Sequence, residues 1–242
     1  MSLRSPRSAG RRGLLAAVAL LVAVTLASCG GQTGPSAAEG TDVPVAEAPT
    51  SAEPAPTAST EPPTTTTTAP PRAEPGSPIG SGANTVYVLG DSVILGAQGT
   101  VPPTLAGWDV TFDAKESRRI DQGIDIVQEM GGAVGRVLVV HLCTNWGGGD
   151  YGAAADQLLG SLVGVDRVVW VTCTPWIPAV DEADAAIRAL PDRHPNVVVA
   201  DWAELSGTPG FTYSDGLHLR PEGASALALL VAVTLGPAPA PA

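Results

Sequence analysis

The chain has 242 residues, of which 44% are apolar and 15% charged, with 13 Lys and Arg against 24 Asp and Glu. Four of the bases lie within the first 12 residues, so the rest carries nine bases against 24 acids. Such an acidic surface repels phosphate backbones, which excludes nucleic acid as a partner. It also disfavours binding of the domain surface to anionic lipid. The length allows one or two domains.

Residues 1–29 have the pattern of an export signal. A basic segment precedes the apolar run 14–26, which is shorter than a membrane-spanning helix. The run ends in Leu-Ala-Ser before Cys29, which resembles a bacterial lipobox with cleavage before the cysteine. The sequence therefore predicts an extracytoplasmic lipoprotein that is held on the cell membrane only through a lipid on Cys29. Ordinary cleavage nearby is the alternative, and the arginine pair at 11–12 leaves twin-arginine export open beside the general secretory route.

Residues 30–83 are rich in Pro, Thr, Ala, Glu and Ser and contain few large apolar side chains. Ordering such a segment costs conformational entropy and buries little apolar surface in return. We therefore expect a disordered linker over 30–83, one folded domain over 84–236 and a disordered tail over 237–242.

Within 84–236, apolar runs rich in β-forming residues alternate with segments of helical character. Near-continuous apolar strands are typical of a parallel sheet that is covered on both faces. The sequence therefore predicts a doubly wound α/β domain, with its chemistry at the carboxyl ends of the strands. The predicted strands lie at 85–89, 110–112, 137–142, 167–172 and 196–201. The predicted helices lie at about 93–99, 117–130, 151–163, 181–190 and 221–235.

Three polar motifs stand where such chemistry is expected. Ser92 follows the first strand in Gly-Asp-Ser, where a strand-to-helix turn can present its hydroxyl, although Asp91 and Ser92 also suit a helix N-cap. Asn145 follows the third strand and can act as an oxyanion donor, or can stabilise a glycine-rich turn. Asp215 and His218 are three residues apart, so the carboxylate can orient the imidazole as a general base. Two unrelated polar loop residues are the alternative.

The order Ser, Asn, then Asp and His only three apart resembles the SGNH (GDSL-type) hydrolase family, over essentially all of 84–235. Gly-Asp-Ser ending at Ser92 matches the first family block, Thr-Asn ending at Asn145 the third, and Asp215-x-x-His218 the fifth. The sequence that follows Asp215 is most similar to the branch linked to membrane acyltransferases that O-acylate cell-wall or surface glycans.

The resemblance implies a flavodoxin-like, three-layer α/β/α fold with a five-stranded parallel sheet. It also implies a serine esterase or O-acyltransferase that acts on acyl esters of glycans, with acetyl as the expected acyl group. Ser92 would be the nucleophile, His218 the base and Asp215 its orienting acid. The N–H groups of Ser92 and Ser117 and the Asn145 amide would form the oxyanion hole. No metal or cofactor is expected, and a membrane acyltransferase is an expected partner that supplies acyl groups.

Two departures from the family pattern leave a second function open. Ser117 stands where the second block normally has glycine, and Cys143 stands where the third block has glycine before Thr-Asn. Ser117 retains a backbone N–H, so the oxyanion hole requires only that its conformation be tolerable. The alternative is a catalytically decayed lipoprotein that binds glycan or scaffolds an envelope complex. Metal ligation by Asp215 and His218 is a third, weaker interpretation.

Several further residues have both a structural and a functional interpretation. Trp146 and Trp176 follow the third and fourth strands and could stack on a sugar ring, or simply pack. Arg118 could meet a polar acceptor, or lie at a solvated helix start. His141, inside the third strand, is interpreted as a core histidine.

Cys143 and Cys173 each follow a predicted strand, the third and the fourth. Consecutive strands of a doubly wound sheet are often neighbours about 5 Å apart, which is within disulfide range. Because the expected compartment is oxidising, we predict a Cys143–Cys173 disulfide that braces the floor of the active-site crevice. Two buried free thiols are the alternative.

Overall fold

The computed structural model describes residues 71–240. Five parallel strands form one sheet in the order β2-β1-β3-β4-β5, the flavodoxin-like order in which the chain winds in both directions from β1. Helices cover both faces, which confirms the predicted three-layer α/β/α class. The strands are β1 (Thr85–Gly90), β2 (Asp109–Ala114), β3 (Val137–His141), β4 (Arg167–Val171) and β5 (Val197–Ala200).

Helices form the two outer layers. Those with marked amphipathic character, such as Ile120–Met130, turn their apolar stripe toward the sheet. The helix predicted at about 93–99 ends at residue 95, and three short helices, one at 101–104 and two after 188, were not predicted. The helices are α1 (Ser92–Leu95), α2 (Val101–Thr104), α3 (Ile120–Met130), α4 (Tyr151–Gly160), α5 (Pro178–Arg188), α6 (Leu190–Arg193), α7 (Trp202–Ser206) and α8 (Pro221–Leu235), and a 3-10 turn, Gly131–Val134, follows α3.

The strand pleat divides the hydrophobic core into two layers. Alternate strand residues such as Val86 and Val88 pack with α1, α2, α7 and α8. The residues between them, such as Leu89, pack with α3, α4 and α5. All residues of β3 and β4 are buried, as continuous apolar strands require. The edge strand β2 differs, because it has a neighbour on one side only and leaves Asp109 and Thr111 exposed.

The packed region begins earlier than the predicted boundary at residue 84. The Ala73 N–H donates to the Pro195 carbonyl at 2.6 Å, and the Gly76 N–H donates to the Thr234 carbonyl at 2.8 Å. The Arg167 guanidinium donates to the Ser77 carbonyl at 2.7 Å. Residues 73–77 are therefore tied to the domain by the hydrogen bonds that their own backbone makes.

The predicted signal peptide, its lipidation residue Cys29 and most of the predicted linker lie outside the described residues, as does the end of the predicted tail. Between residues 71 and 240, no helix combines the length and apolarity that crossing a membrane requires.

Candidate active site

Ser92 is the first residue of α1, directly after β1. The Asp91 carboxylate accepts the Val93 N–H at 3.0 Å and so caps this helix. Glycine precedes this turn at position 90 because a Cβ there would clash with Ile94. The Gly-Asp-Ser motif therefore has a local structural cause: glycine permits the close approach, aspartate caps the helix, and serine is left at the carboxyl edge of the sheet.

His218 and Asp215 lie on the loop that leads into α8. His218 Nδ1 is 2.8 Å from Asp215 Oδ2, and His218 Nε2 is 3.3 Å from Ser92 Oγ. The other carboxylate oxygen accepts the N–H groups of Leu217 at 2.9 Å and His218 at 3.0 Å. The Leu217 N–H, together with the His218 side chain and N–H, lowers the pKa of Asp215 to about 2. The structure thus brings the three predicted triad residues into one hydrogen-bonded chain.

The loop conformation explains how a spacing of three residues produces this contact. Thr212 and Leu219 form an antiparallel bridge, and the Tyr213 N–H donates to the His218 carbonyl at 2.9 Å. Gly216, at the turn between the two triad residues, has a φ of +70°, a conformation that glycine adopts without strain. The carboxylate and the imidazole therefore emerge from the same tight turn.

Ser117 adopts the left-handed conformation, with a φ of +58°, and is the only non-glycine residue among 71–240 with a positive φ. This conformation costs an L-residue about 1–2 kcal/mol, whereas glycine adopts it freely. The serine therefore retains the backbone geometry that favours glycine here, and the conformational condition on which the predicted oxyanion role depended is met at a cost in strain.

Asn145 lies beyond the carboxyl end of β3. One of its amide hydrogens is donated to the Arg118 carbonyl at 3.1 Å. An amide carries two such hydrogens, so the second can be donated to a ligand. The same bond ties the loop after β3 to the turn that contains Ser117.

The structure contradicts the expected substrate contact of Arg118. Its side chain is buried and donates to the Gly90 carbonyl at 3.3 Å, and to the Asp113 carbonyl and carboxylate, each at 2.7 Å. The guanidinium is engaged within the protein because it joins the ends of β1 and β2.

The two tryptophans have different surroundings. Trp146 packs edge-on against Tyr151 with ring centroids 5.2 Å apart, and its indole nitrogen is buried, so its interpretation as a packing residue holds. Trp176 is 52% exposed, and its indole N–H donates to the Thr144 carbonyl at 3.1 Å. Only Trp176 of this pair presents a ring to the site.

A cleft of about 600 Å³ brings the candidate residues together. Its walls include Ser92, Ser117, Asn145, Trp176 and His218. They also include the exposed carboxylate of Glu116, which was not a predicted site residue. No sequence pattern marks this residue, because its place depends on how the turn after β2 folds.

The predicted Cys143–Cys173 disulfide is confirmed, with Cα atoms 5.7 Å apart. It joins the segments that follow the neighbouring strands β3 and β4, directly before Thr144 and Thr174, and both cysteines are fully buried. The disulfide therefore lies beneath the segments that carry Asn145 and Trp176.

Asp184 on α5 is a buried acid beside this disulfide. Its carboxylate accepts the Cys173 N–H at 2.8 Å, and burial raises its pKa to about 6. The sequence signal was present: Asp184 falls on the same helical stripe as Val180, Ala183 and Ile187, which are all buried.

Within the described part of the chain, two groups of side chains are close enough together to suggest a metal site. They are Asp91, His141 and Cys173, and Cys143, Cys173 and Asp184. Both depend on Cys173, and the thiolate is the form of cysteine that binds metal. Because Cys173 is bonded to Cys143 in the disulfide, it has no thiolate with which to bind a metal.

Comparisons with known proteins place this geometry in context. No protein-family model matches the chain. Over 154 residues the chain is 28% identical to YrhL of Bacillus subtilis, by name a peptidoglycan O-acetyltransferase, and the match covers 62% of this chain. It spans only 23% of the length of that protein.

Solved structures share the fold. The C-terminal catalytic domain of the Streptococcus pneumoniae peptidoglycan O-acetyltransferase OatA matches with a TM-score of 0.56 and 21% identity, over 63% of this chain and 93% of that domain. A GDSL-like lipase from Bacteroides thetaiotaomicron matches with a TM-score of 0.52 and 15% identity, over 61% of this chain and 85% of the lipase. The names of all three relatives agree with the expected esterase or acyltransferase class. The resemblance drawn from the motifs is thereby confirmed, and the chain has the fold of the SGNH (GDSL-type) hydrolases.

Proposed function

We propose that this protein is an extracytoplasmic serine esterase or O-acyltransferase that acts on acetyl esters of cell-wall or surface glycans. The observation that carries the proposal is the unbroken chain of contacts from Asp215 through His218 to Ser92. The names of YrhL and OatA support a glycan substrate and an acetyl group.

His218 is the general base in the proposed reaction. Asp215 accepts the Nδ1 hydrogen of His218, which leaves Nε2 unprotonated and directed at the Ser92 hydroxyl. Because the pKa of Asp215 is low, this acid stays ionised throughout the neutral range. As Ser92 Oγ attacks the ester carbonyl, its proton passes to His218 Nε2. The neighbouring carboxylate stabilises the imidazolium that forms.

The negative charge on the tetrahedral intermediate falls on the former carbonyl oxygen. The N–H groups of Ser92 and Ser117 and the free amide hydrogen of Asn145 are the proposed donors to it. One such donor contributes on the order of 3 kcal/mol to transition-state stabilisation. Collapse of the intermediate breaks the ester C–O bond, and the departing alcohol takes the proton from His218. An acyl-Ser92 ester remains.

The acyl group then leaves by the same steps in reverse. His218 activates either water or a sugar hydroxyl, and attack on acyl-Ser92 gives hydrolysis or transfer respectively. Asp215 and His218 are each about half exposed, so either acceptor can reach the acyl-enzyme.

Trp176 is the proposed platform for a sugar ring. The bond from its indole nitrogen to the Thr144 carbonyl holds the ring against the loop that carries Asn145. Its exposed surface forms one wall of the cleft that contains Ser92. A rigid aromatic face binds the apolar face of a sugar at a small cost in conformational entropy.

The anchor and the acyl donor are further parts of the proposal. Lipidation of Cys29 would hold the domain at the outer face of the cell membrane, close to a membrane acyltransferase that supplies acyl groups. Replacing Cys29 with Ser removes the thiol that would carry the lipid, and is expected to abolish incorporation of labelled palmitate into the protein.

A fluorophosphonate probe tests the proposed chemistry, because it labels only an activated serine. We expect the wild-type protein to be labelled and the Ser92→Ala variant to remain unlabelled. Absence of labelling in folded wild-type protein would contradict the proposed enzymatic activity and favour a glycan-binding or scaffolding role. A second assay separates transfer from hydrolysis by supplying an acetyl donor such as p-nitrophenyl acetate together with wall-glycan fragments. Transfer is shown by acetyl groups on the sugar, detected by mass spectrometry. Hydrolysis is shown if only free acetate appears.

A further inference from the structure

A second histidine–aspartate pair lies beneath the active site and takes no part in the proposed proton transfers. His141 is the last residue of β3 and is paired in register with Gly90 of β1. It is fully buried, and so is Asp91, the residue directly before the nucleophile. Neither side chain lines the cleft.

Two hydrogen bonds join these residues. The Asp91 N–H donates to the His141 carbonyl at 3.0 Å, which extends the pairing of β1 with β3 by one residue. His141 Nδ1 lies 3.0 Å from Asp91 Oδ1. That same oxygen accepts the Val93 N–H at 3.0 Å, and this bond caps the helix whose first residue is Ser92.

The cap depends on His141 for electrostatic reasons. A buried carboxylate is stable only when it is paired and hydrogen-bonded. Asp91 Oδ2 has no hydrogen-bond partner among the described residues, so Oδ1 makes every bond of this carboxylate. Without His141, the buried Asp91 carboxylate would keep its charge but only one hydrogen bond, which comes from the Val93 N–H. We expect the carboxylate, and the turn that it caps, to move as a result.

The charges around His141 favour its donor role. Burial lowers the pKa of His141. The charge of Asp91, its hydrogen bond to His141 and the charge of Asp184 all raise this pKa and outweigh the effect of burial, so the pKa is raised overall. A proton on Nδ1 is therefore retained for donation to Asp91.

From these contacts we infer that His141 is a positioning residue for the nucleophile: its bond to Asp91 holds the cap that orients Ser92 toward His218. The inference rests on the proposed function. A nucleophile held by a fixed turn matters because displacement of a reacting group by about 1 Å costs on the order of 100-fold in rate.

Two substitutions at position 141 separate the bond from the bulk of the ring. His141→Phe keeps a planar ring but has no donor. His141→Asn places an amide N–H₂ near the position of Nδ1 and keeps the donor. Each protein is assayed with p-nitrophenyl acetate, and its turnover is divided by the concentration of sites that a fluorophosphonate titrates.

We expect His141→Phe to lower the turnover per titrated site by about 10- to 100-fold, with KM changed by less than about twofold. We expect His141→Asn to retain most of the wild-type turnover per titrated site. A purely structural role predicts a different result, namely fewer titratable sites that each turn over at the wild-type rate, and this result would overturn the inference.

If His141→Phe does not fold, the double variant Asp91→Asn/His141→Phe provides the same test. Asparagine still accepts the Val93 N–H but leaves no unpaired charge in the core. Slower turnover per site in this double variant than in Asp91→Asn, where His141 can still donate to Oδ1, supports the inference, and equal turnover in the two refutes it. The proposed function itself fails separately, if the fluorophosphonate does not label the wild-type protein.

Discussion

Nε2 of His218 lies 3.3 Å from Oγ of Ser92, although 126 residues separate them in the sequence. Ser92 is held there by its position after β1, which lies between β2 and β3 in the sheet. His218 is held by a tight loop between the bridge of Thr212 with Leu219 and the start of α8. The contact therefore depends on the packing of α8 against the sheet, and this layer carries the general base to the nucleophile.

The protein is expected to become more stable when glycine replaces Ser117. Ser117→Gly removes the strain of a φ of +58° and keeps the backbone N–H. Part of the gain is lost to the greater entropy of glycine in the unfolded chain, so we expect at most about 1 kcal/mol in the free energy of unfolding. Turnover should stay within about twofold, because the proposed oxyanion donor is a main-chain group. Urea unfolding and esterase assays measure both quantities.

The neighbouring residue provides the control for Ser117. Glu116 has no positive φ, so Glu116→Gly is expected to destabilise the protein, by about 0.4–1 kcal/mol. Equal effects of the two substitutions would show that the left-handed conformation of Ser117 carries no strain.

Trp176 is expected to affect binding of glycans more than the chemical step. Trp176→Ala removes the proposed sugar platform and should raise KM for acetylated glycan fragments about tenfold, equivalent to about 1.4 kcal/mol of binding energy. Activity on p-nitrophenyl acetate, which has no sugar ring, should change little. Tyr213→Ala is a matched control, because Tyr213 is equally exposed at 52% but does not line the cleft. An equal loss on both substrates would argue against the platform.

Asp184 should make the protein less stable as pH rises. Burial raises the pKa of this acid to about 6, so the folded protein binds its proton more tightly than the unfolded chain does. The stability due to this proton is complete below about pH 4 and is lost as pH rises through about 6. Asp184→Asn keeps an acceptor for the Cys173 N–H and removes the titration. We expect it to raise the free energy of unfolding at pH 8 by about 1–3 kcal/mol, and to have little effect at pH 4.

Urea unfolding at the two pH values measures this difference, because the other carboxylates titrate alike in both proteins. Asp125→Asn, which changes an exposed acid on α3, should show no such dependence. A stabilisation by Asp184→Asn that is the same at pH 4 and pH 8 would be inconsistent with the raised pKa.

The Cys143–Cys173 disulfide closes a loop of 30 residues. Loop-closure entropy predicts that its loss lowers the free energy of unfolding by about 3–4 kcal/mol. Because both cysteines are fully buried, we expect the folded protein to resist mild reductant and to lose the bond only on unfolding. Urea unfolding with and without a phosphine reductant measures the effect. The double variant Cys143→Ala/Cys173→Ala should match the reduced protein, and a reductant effect that persists in this variant would show another cause.

Much of the fold could be predicted because its signals are local. Continuous apolar runs such as Val137–His141 identify strands that are buried on both faces, and the alternation with helices identifies a parallel sheet. The edge strand β2 and the short helices were harder to predict from the sequence. Partial exposure of the strand, and helix lengths of four or five residues, leave only a weak hydrophobic periodicity.

The sequence by itself determined the fold class, the triad candidates and the cysteine pair. Each of these follows from short-range patterns, or from the rule that consecutive strands tend to be neighbours. Only the tertiary structure decided which side chains face the cleft. It turned Arg118 inward to bond the ends of two strands, packed Trp146 on Tyr151, and left Trp176 exposed. The physical reason is that the direction of a loop side chain depends on hydrogen-bond and packing partners that are distant in sequence, and no local pattern records those partners.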